Sequence, residues 1–412
     1  MGSVHLMIVD IRWPAETFLM RKIEALAGCG YRITVLTADS GRGGPRLRNV
    51  RVVRVPGGLR AAGAALLLLL RAAIRDFRQA IRGLREWVGG GTSGLRLAAR
   101  RWAVAAFRPD VLHFEWTLAA IPSLPLVEDC GTPLVVSCRG AHVSIAPHNP
   151  RRQQEARALP RIFSLAAKVH CVSEAIADEA VALGMARDKA AVIRPAVDPD
   201  RFIPAMGDSQ PKRLRILMTG ALIWRKAYEF AMTAYGEACK KGLDAELTIA
   251  GGGGKEETSR LLYTIQDLGL EGRVFWKGSQ SPERILEMLR ESDVFLHSSV
   301  SEGISNAVLE AMACGLPVVV TDAGGMREAV RDGIDGFVVP VRDVDAMAEA
   351  LLRLARDPEL RRRMGAAARQ RVLEEFTLER QTRQWRELYE GLAGETPRTG
   401  RNHSELAAGQ RP

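Results

Sequence analysis

Paired cysteines, histidines at metal-ligand spacing and membrane-length apolar runs are all missing from this sequence of 412 residues. The six cysteines form no CxxC pair and no regular framework, so we expect reduced thiols, as in a cytosolic protein. The seven histidines show no HxxxH-like spacing, so no metal site is predicted. The apolar run from Ala61 to Leu70 is too short to span a bilayer, and the strand-like start "VHLMIVD" predicts no signal peptide.

Acidic residues are scarce in one segment of the chain. Between Arg42 and Arg108 there are 15 arginines and two acidic residues, whereas the whole chain carries a net charge of +10. Such a basic segment suits an anionic partner. Aromatic residues are not interleaved with the arginines and no nucleic-acid motif is present, so we predict no nucleic-acid partner.

The basic segment also has a helical period. Its arginine stripe consists of Arg71, Arg75, Arg78, Arg82 and Arg85. A second, apolar stripe consists of Leu70, Ile74, Phe77, Ile81, Leu84 and Val88. At 100° per residue the stripes lie about a quarter turn apart, which suits a helix at a membrane surface with arginines reaching lipid phosphates. A core-packed helix with a solvated arginine face is the alternative, and the near absence of acidic residues favours the membrane.

The remaining chain alternates apolar, strand-like runs with amphipathic helices. This pattern predicts an α/β protein with two doubly wound, parallel, Rossmann-like domains. The Pro- and Asp-rich segment from Ile193 to Arg213 is the predicted linker. The predicted parts are an N-terminal domain (1–200) with a basic helical region (60–108), a C-terminal domain (201–375), a last helix (376–393) and a disordered tail (394–412).

Ligands of open α/β sheets bind beyond the carboxyl ends of the strands, and three places in the second domain fit this rule. In "MTGALIWRKAYEF" a strand ends at Gly220, and Arg225 and Lys226 precede a helix. Two cations near a helix N-terminus suit an anion such as a diphosphate, although a solvated basic turn has the same sequence. In "LTIAGGGGKEE" the glycines suggest a dinucleotide site, but Glu256 occupies the third glycine's place, and close packing is the alternative.

The third place is "SSVSEGISNAVLEAMACGLPVVVTDAGGMREAV". Its strand ends near Ser298, and a helix is predicted to begin between Ile304 and Asn306. Glu302 then lies in the turn, where the first N–H groups of the helix favour a diphosphate. Glu310 lies four residues after Asn306 on the same helix face, and its carboxylate suits a vicinal diol such as a ribose. An ordinary helix with an acid near its N-cap is the alternative.

This last stretch strongly resembles the E-x7-E segment of retaining, GT-B-fold glycosyltransferases of family 4. The resemblance extends to "DGIDGFVVP", "VSEAI", "IRPAVDPDRF" and "FTLERQTRQWRELYEGL". The N-terminal "PAETFLMRKIEALAGCGYRITVLT" looks like a subgroup that acts on exopolysaccharides and related glycans. The resemblance covers most of the chain and implies two domains that face each other across a cleft.

The resemblance also implies roles for individual residues. Glu302 would contact the donor sugar and Glu310 the nucleotide ribose, while Arg225 and Lys226 would hold the diphosphate without a metal ion. The implied donor-binding set is completed by Gly220, Gly278, Gly303, Ile304, Ser305, Asn306 and Val308.

The sequence departs from the family pattern at several positions. Ala221 replaces an arginine, and Ala227 stands where a glycine is usual. In "CRGAHV", Arg139 falls on the usual catalytic histidine and His142 on the usual acid. Either His142 reaches the same space or Arg139 takes an electrostatic role, so both remain candidate catalytic residues.

Together these features predict a glycosyltransferase that moves a sugar from a UDP- or GDP-sugar to a lipid-linked or polysaccharide acceptor. The enzyme is expected to retain the anomeric configuration and to need no metal ion or other cofactor. It is expected in the cytoplasm, peripherally bound to the anionic inner face of the cell membrane. The alternatives are a GT-B nucleotide-sugar epimerase and a non-catalytic protein that binds sugar nucleotides or membranes.

Overall fold

The computed structural model describes residues 3–38, 44–55, 62–205 and 213–395. The chain divides into two compact units. The first comprises Met1–Val136, Ser164–Val169 and Trp385–Pro412, and the second comprises Ser137–Phe163 and His170–Gln384. The predicted tail lies outside the described residues from residue 396 onward, as does part of the predicted linker (206–212).

Seven strands form the first sheet in the order β3-β2-β1-β4-β5-β6-β7. These strands are β1 (His5–Val9), β2 (Arg32–Thr37), β3 (Val50–Arg54), β4 (Val111–Phe114), β5 (Leu134–Cys138), β6 (Lys168–Cys171) and β7 (Ala190–Val192). The pairings from β3 to β5 are parallel, and β1 and β4 are buried throughout. The jump from β1 to β4 reverses the strand order, as in doubly wound folds, so the predicted sheet class is correct.

Six strands form the second sheet in the order β10-β9-β8-β11-β12-β13. These strands are β8 (Leu214–Thr219), β9 (Ala245–Ala250), β10 (Val274–Trp276), β11 (Val294–His297), β12 (Val318–Thr321) and β13 (Gly336–Val339). All its pairings are parallel, and the order again reverses after the first strand. The sequence pattern identified five of these strands and missed β13 (Gly336–Val339), which begins with a glycine, a residue that is unfavourable in strands.

Helices cover both sheets. Those of the N-terminal half are α1 (Thr17–Gly28), α2 (Ala62–Arg75), α3 (Phe77–Phe107), α4 (Leu124–Val127), α5 (Ala141–Ser144), α6 (Gln153–Arg157), α7 (Leu159–Leu165) and α8 (Glu174–Ala182). Those of the C-terminal half are α9 (Tyr228–Lys240), α10 (Lys255–Asp267), α11 (Pro282–Glu291), α12 (Asn306–Ala313), α13 (Met326–Ala329), α14 (Val344–Arg356), α15 (Pro358–Glu375) and α16 (Leu378–Glu395). Within the described ranges, none of these helices is long and apolar enough to cross a membrane.

The basic helical segment is broken in two places. The continuous helix predicted through Asp76 is wrong there, because Asp76 leaves helical geometry and its carboxylate accepts a hydrogen bond from the Gln79 N–H, which starts α3 afresh. At Gly91 the backbone leaves helical geometry (φ 55°), and the two halves of α3 fold against each other. Gly83 permits this approach, since a Cβ there would lie 2.2 Å from the Trp102 ring nitrogen.

A buried arginine joins the two halves of α3. Arg101 is 2% exposed and binds Glu86 and Asp129, and it also donates to the Pro125 carbonyl at 2.9 Å. Burial disfavours the charged form, but the hydrogen bonds to Glu86 and Asp129 outweigh it and raise the arginine's pKa. Asp129 also pairs with Arg82 of the predicted stripe at 2.7 Å, so that arginine already has a protein partner.

Candidate functional site

All of the predicted site residues belong to the second unit. The first segment follows β8, where Gly220 turns the chain (φ 146°) and its carbonyl accepts a hydrogen bond from the Tyr228 hydroxyl at 2.8 Å. Arg225 and Lys226 then lie in one turn of 3₁₀ helix, Trp224–Lys226, directly before α9. The predicted pair of cations therefore stands at a helix N-terminus beyond a strand's carboxyl end.

The glycine-rich loop after β9 packs against this segment. A Cβ at Gly251 would lie 1.7 Å from the Gly220 carbonyl oxygen, a distance that no side chain can occupy. The Gly251 N–H donates to the Gly278 carbonyl at 2.9 Å, which ties the ends of β9 and β10 together. The close-packing interpretation therefore accounts for Gly251 without a dinucleotide.

The second segment is the turn between β11 and α12. It is joined to the first segment by the Val300 N–H, which donates to the Arg225 carbonyl at 2.8 Å. The Ser298 hydroxyl adds hydrogen bonds to the carbonyls of Lys226 and Ala227 at 2.9 and 3.0 Å. These hydrogen bonds to main-chain carbonyls hold the two segments side by side.

The side chains of the two segments meet at Glu302. Its Oε1 lies 2.5 Å from the Lys226 Nζ and accepts a hydrogen bond from the Ser299 hydroxyl at 2.8 Å. The His297 ring nitrogen Nε2 lies 3.3 Å from the same oxygen. The structure thus brings together two of the predicted catalytic residues, Glu302 and Lys226, and adds two groups that sequence reasoning missed.

The electrostatics of this cluster keep its carboxylate charged. Burial alone would raise the pKa of Glu302, but the hydrogen bond from His297 and the charge of Lys226 outweigh burial and lower it. Burial and the charge of Lys226 lower the pKa of His297, so its imidazole is neutral at neutral pH. Burial and then the Glu302 charge raise the pKa of Tyr228, which stays a phenol. The charges of the cluster therefore reside on Glu302 and its lysine partner.

Helix α12 begins at Asn306, at the end of the range that the sequence predicts. Ser305 occupies the N-cap position, but its side chain makes no capping hydrogen bond. Asn306 is exposed, Val308 is buried in the core, and Glu310 is half-buried one turn after Asn306. The first-turn N–H groups consequently lack the usual side-chain cap, which is the arrangement that an anion can complete.

The Glu302 turn is shaped by close backbone contacts. Gly303 and Ile304 are buried, and the Gly303 carbonyl accepts a hydrogen bond from the Gly325 N–H at 2.8 Å. At Gly324, where φ is 56°, a Cβ would lie 1.9 Å from the Glu302 carbonyl oxygen. A side chain at Gly324 would push the turn away, so this glycine positions Glu302.

The "CRGAHV" segment approaches the same turn through its backbone. A Cβ at Gly140 would lie 3.5 Å from the Gly303 nitrogen, and a Cβ at Gly303 would lie 3.5 Å from the Arg139 carbonyl. His142 lies in the short helix α5. Burial and the charge of Arg152 lower its pKa to about 4, so the ring is neutral at pH 7. The structure thus places the Arg139 backbone beside the Glu302 turn and makes His142 a neutral group.

Comparison with known proteins assigns the chain to a family. A model described as "Glycosyl transferases group 1" matches residues 201–371, and one described as "Glycosyl transferase 4-like domain" matches residues 15–196. The D-inositol 3-phosphate glycosyltransferase of Paenarthrobacter aurescens (strain TC1) is 30% identical over 281 residues, which are 63% of this chain and 68% of that protein. The chain belongs to the group 1 glycosyltransferases.

Other similarities extend this assignment. The amylovoran biosynthesis glycosyltransferase AmsK of Erwinia amylovora is 32% identical over 240 residues, which are 57% of this chain and 58% of AmsK. The crystal structure of Anabaena HepE in complex with UDP and glucose has a TM-score of 0.71 at 17% identity and covers 94% of this chain and 100% of HepE. This likeness establishes the predicted GT-B fold with two Rossmann-like domains.

Several positioning residues of this family member escaped sequence reasoning. His297 ends the strand β11, Ser299 lies two residues after it, and Tyr228 opens the helix after Lys226. Polar residues at the end of an otherwise apolar strand are a signal that was available, because such ends form the ligand edge of the sheet. The approach of Gly324 to Glu302 had no such signal, since it joins segments 22 residues apart.

Proposed function

We propose that this group 1 glycosyltransferase moves a hexosyl group from a UDP- or GDP-sugar to a lipid-linked or growing polysaccharide acceptor, with retention and without a metal ion. The observation that carries the proposal is the contact between Lys226 and Glu302 at the uncapped start of α12. It places a cation, an ionised carboxylate and helix N–H groups without a side-chain cap close together. The cation and the N–H groups suit a nucleoside diphosphate, and the carboxylate suits a sugar with developing positive charge.

The chemistry of the proposal is the departure of a nucleoside diphosphate from an anomeric carbon. Negative charge grows on the β-phosphate, where Lys226, Arg225 and the first-turn N–H groups of α12 would neutralise it. Lys226 is bound to Glu302 in the structure, so a diphosphate would compete with that carboxylate for the ammonium group. Glu302 keeps its hydrogen bond from Ser299 during the exchange and faces the sugar as an anion.

The comparisons support the substrate classes of the proposal. HepE was crystallised with UDP and glucose, which favours a UDP-sugar as donor for this chain. AmsK is named for amylovoran biosynthesis, which favours a polysaccharide or its lipid-linked precursor as acceptor. The half-buried Glu310, on the same face of α12 as Asn306, is the group we assign to the ribose.

A cytoplasmic location at the membrane surface completes the proposal. Apolar side chains of α2 and the first half of α3 face solvent instead of the core, including Ile74 at 86%, Phe77 at 66% and Val88 at 84% exposure. Arg71, Arg75, Arg78 and Arg85 of the predicted stripe are exposed beside them. This arrangement favours an interfacial helix over a core-packed one. The six cysteines are free thiols, which suits a reducing compartment.

The experiment that tests the function is nucleotide release from a panel of UDP-, GDP- and ADP-sugars, with and without a lipid-linked glycan acceptor. We expect one donor to release its nucleotide only when the acceptor is present. NMR of the product should show the same anomeric configuration as in that donor. Interconversion of the free donor without an acceptor would instead indicate an epimerase. Binding without turnover, in a protein with an unchanged melting temperature, would contradict the proposed activity.

Metal independence has its own test. In the proposal, Arg225 and Lys226, which lie together in the turn before α9, supply the countercharge that a metal ion provides in other sugar-nucleotide enzymes. We expect activity to survive EDTA. Complete loss with EDTA, reversed by manganese or magnesium, would contradict the assignment of these two residues.

A further inference from the structure

A large basic cavity lies in the first unit, at the amino ends of its strands. It has a volume of about 660 Å³ and is lined by His5 of β1, Arg32 of β2, Arg51 of β3, and Arg71 and Arg75 of α2. His5 and Arg32 are register partners at the start of adjacent strands. Ligands of the fold are expected at the carboxyl ends, so this cavity belongs to a different edge of the sheet.

The charged residues that line this cavity have one sign, whereas the Asp110 carboxylate, which is not a lining residue, accepts a hydrogen bond from the His5 N–H at 2.7 Å. Four arginine side chains line it, and among the described lining residues none is acidic. The Arg51 guanidinium lies 5.3 Å from the centre of the Phe107 ring, another lining residue, which holds that arginine at the wall. Four like charges around a concave surface repel one another, and an anion bound among them removes that repulsion.

His5 is a further ionisable residue in the wall of the cavity. It is 6% exposed, and its Nε2 is hydrogen-bonded to the Thr34 hydroxyl at 2.9 Å. Burial and the charge of Arg32 lower the pKa of His5 to about 4 against smaller opposing effects of Asp110 and the Phe107 backbone, so the ring is neutral at pH 7. Its Nδ1 is buried away from solvent, so a ligand in the cavity would not reach that atom. His5 therefore completes the wall without adding a charge to it.

The cavity opens on the apolar surface described above. Ile74 lines it and is also 86% exposed, and Leu70, one turn earlier on α2, is 55% exposed. Arg71 and Arg75 have the same spacing on that helix and line the cavity. A ligand with a phosphate among the arginines therefore extends its remaining atoms along Leu70 and Ile74.

We infer that this cavity binds the phosphate of an anionic lipid headgroup, with the acyl chains of the lipid lying along the exposed apolar face of α2. The shared chemistry is a phosphate ester, and the adjoining apolar surface commits the site to a lipid instead of free phosphate. The inference rests on the proposed membrane location and adds to it a defined headgroup site. It does not depend on the donor site or on its chemistry.

The test compares two doubly substituted variants of the full chain with equal charge change. Arg32→Gln/Arg51→Gln alters the cavity alone, and Arg78→Gln/Arg85→Gln alters the exposed stripe outside it. Sedimentation with phosphatidylglycerol vesicles should show about 25-fold weaker binding for the cavity variant, at about fivefold per arginine. Soluble dihexanoyl phosphatidylglycerol should bind the wild type and the stripe variant equally, and the cavity variant should lose that binding.

Other outcomes overturn the inference. Binding of the short-chain lipid that both variants lose equally, or that the cavity variant keeps, would mean that charge alone, without a defined site, attracts the membrane. Inorganic phosphate that binds as tightly as the short-chain lipid would assign the cavity to free phosphate. If the wild type does not bind phosphatidylglycerol vesicles, the proposed membrane location is wrong as well. Donor turnover in the same preparation tests the glycosyltransferase activity separately.

Discussion

Each unit of the molecule contains a lysine paired with a glutamate beside a histidine, and the two pairs differ in access to solvent. In the first unit the Lys22 Nζ lies 2.6 Å from the Glu115 Oε1, and the two side chains are 3% and 0% exposed. In the second unit Lys226 and Glu302 lie 2.5 Å apart, with side chains 17% and 12% exposed. The same chemistry is therefore sealed in one unit and open to a ligand in the other.

The surroundings of the sealed pair explain its role. The ammonium group of Lys22 lies 3.4 Å from the centre of the Trp385 ring. A hydrogen bond of 2.6 Å joins the His113 ring to the Tyr389 hydroxyl. Trp385 and Tyr389 belong to α16. The sealed pair thus anchors α16 to α1 and β4, while the open pair keeps atoms available for a substrate. Removing one partner of such a buried ion pair leaves the other charge uncompensated.

The largest expected effect comes from breaking the sealed pair. Lys22→Met leaves the Glu115 carboxylate buried without its cation, and we expect a loss of about 3–5 kcal/mol in the free energy of unfolding. Lys226→Met is the matched control, and it should cost only about 1 kcal/mol, because Glu302 keeps Ser299 and partial solvation. Urea unfolding of both variants measures the difference. Equal losses would show that exposure does not separate the two pairs.

Substitution in the open pair should instead lower the rate of turnover. Glu302→Ala removes the anion beside the reacting carbon, and we expect kcat to fall by about 10²–10³-fold, the usual effect of removing one preorganised electrostatic group. Steady-state kinetics at saturating acceptor measure this effect. The melting temperature without ligand must stay unchanged, since otherwise misfolding explains the loss. Normal turnover by Glu302→Ala would remove this residue from the catalytic machinery.

Glu310 should respond differently from Glu302. A ribose contact exists in the ground state and the transition state alike, so Glu310→Ala should raise the donor KM by about tenfold and lower kcat little. The same assay, with the donor concentration varied, makes the measurement. If Glu310→Ala lowers kcat while Glu302→Ala raises KM, the division of labour between the two acids is reversed.

Sequence reasoning could reach the open pair but not the sealed one. Glu302 and Lys226 each follow a strand that an apolar run reveals, and the carboxyl ends of parallel strands share an edge. Lys22 lies in an amphipathic helix, where lysine is usually solvated, and its partner Glu115 is 93 residues away in the chain. Burial of such a charge depends on long-range packing, which no local pattern records.

The basic segment shows the same limit on a smaller scale. Its period predicted the exposed arginines, because the face on which a helical residue lies is a local property. The start of a new helix at Phe77 was missed, although Asp76 is a good N-cap residue, because the apolar period continues through it. The pairing of Arg82 with Asp129 was not predictable, since it depends on where a loop 47 residues later returns.

A smaller effect concerns how the free energy of unfolding depends on pH. Histidines with a lowered pKa and the acid Glu302 should act in different pH ranges. His142 has its pKa lowered to about 4 by burial, so between pH 7 and pH 5 the unfolded chain binds a proton that the folded chain does not. This lowers the free energy of unfolding by about 2 kcal/mol as the pH falls from 7 to 5. Glu302, with its pKa lowered below the usual value, loses its contribution only below about pH 4.5.

The window from pH 7 to pH 5 therefore reports on the histidines. His142→Gln should reduce the loss of unfolding free energy across this window by about 2 kcal/mol, as measured by urea unfolding at both pH values. His148→Gln is the matched control, because it makes the same substitution at an exposed histidine six residues away. An identical pH dependence in wild type and His142→Gln would show that His142 is protonated in the folded protein.

The smallest expected effect concerns the residue that joins Lys226 to α9. Ala227 is buried and has a left-handed backbone (φ 48°, ψ 46°), which costs an L-residue about 1–2 kcal/mol. Ala227→Gly relieves that strain but loses a buried methyl group and adds freedom to the unfolded chain, so we expect a net change within about 0.5 kcal/mol. Ala231→Gly removes the same atoms from a buried, right-handed position of α9 and should cost about 2 kcal/mol. Thermal unfolding of the two variants isolates the left-handed strain as their difference. If both lose the same stability, the backbone at Ala227 is not strained, and the usual glycine of the family has another purpose there.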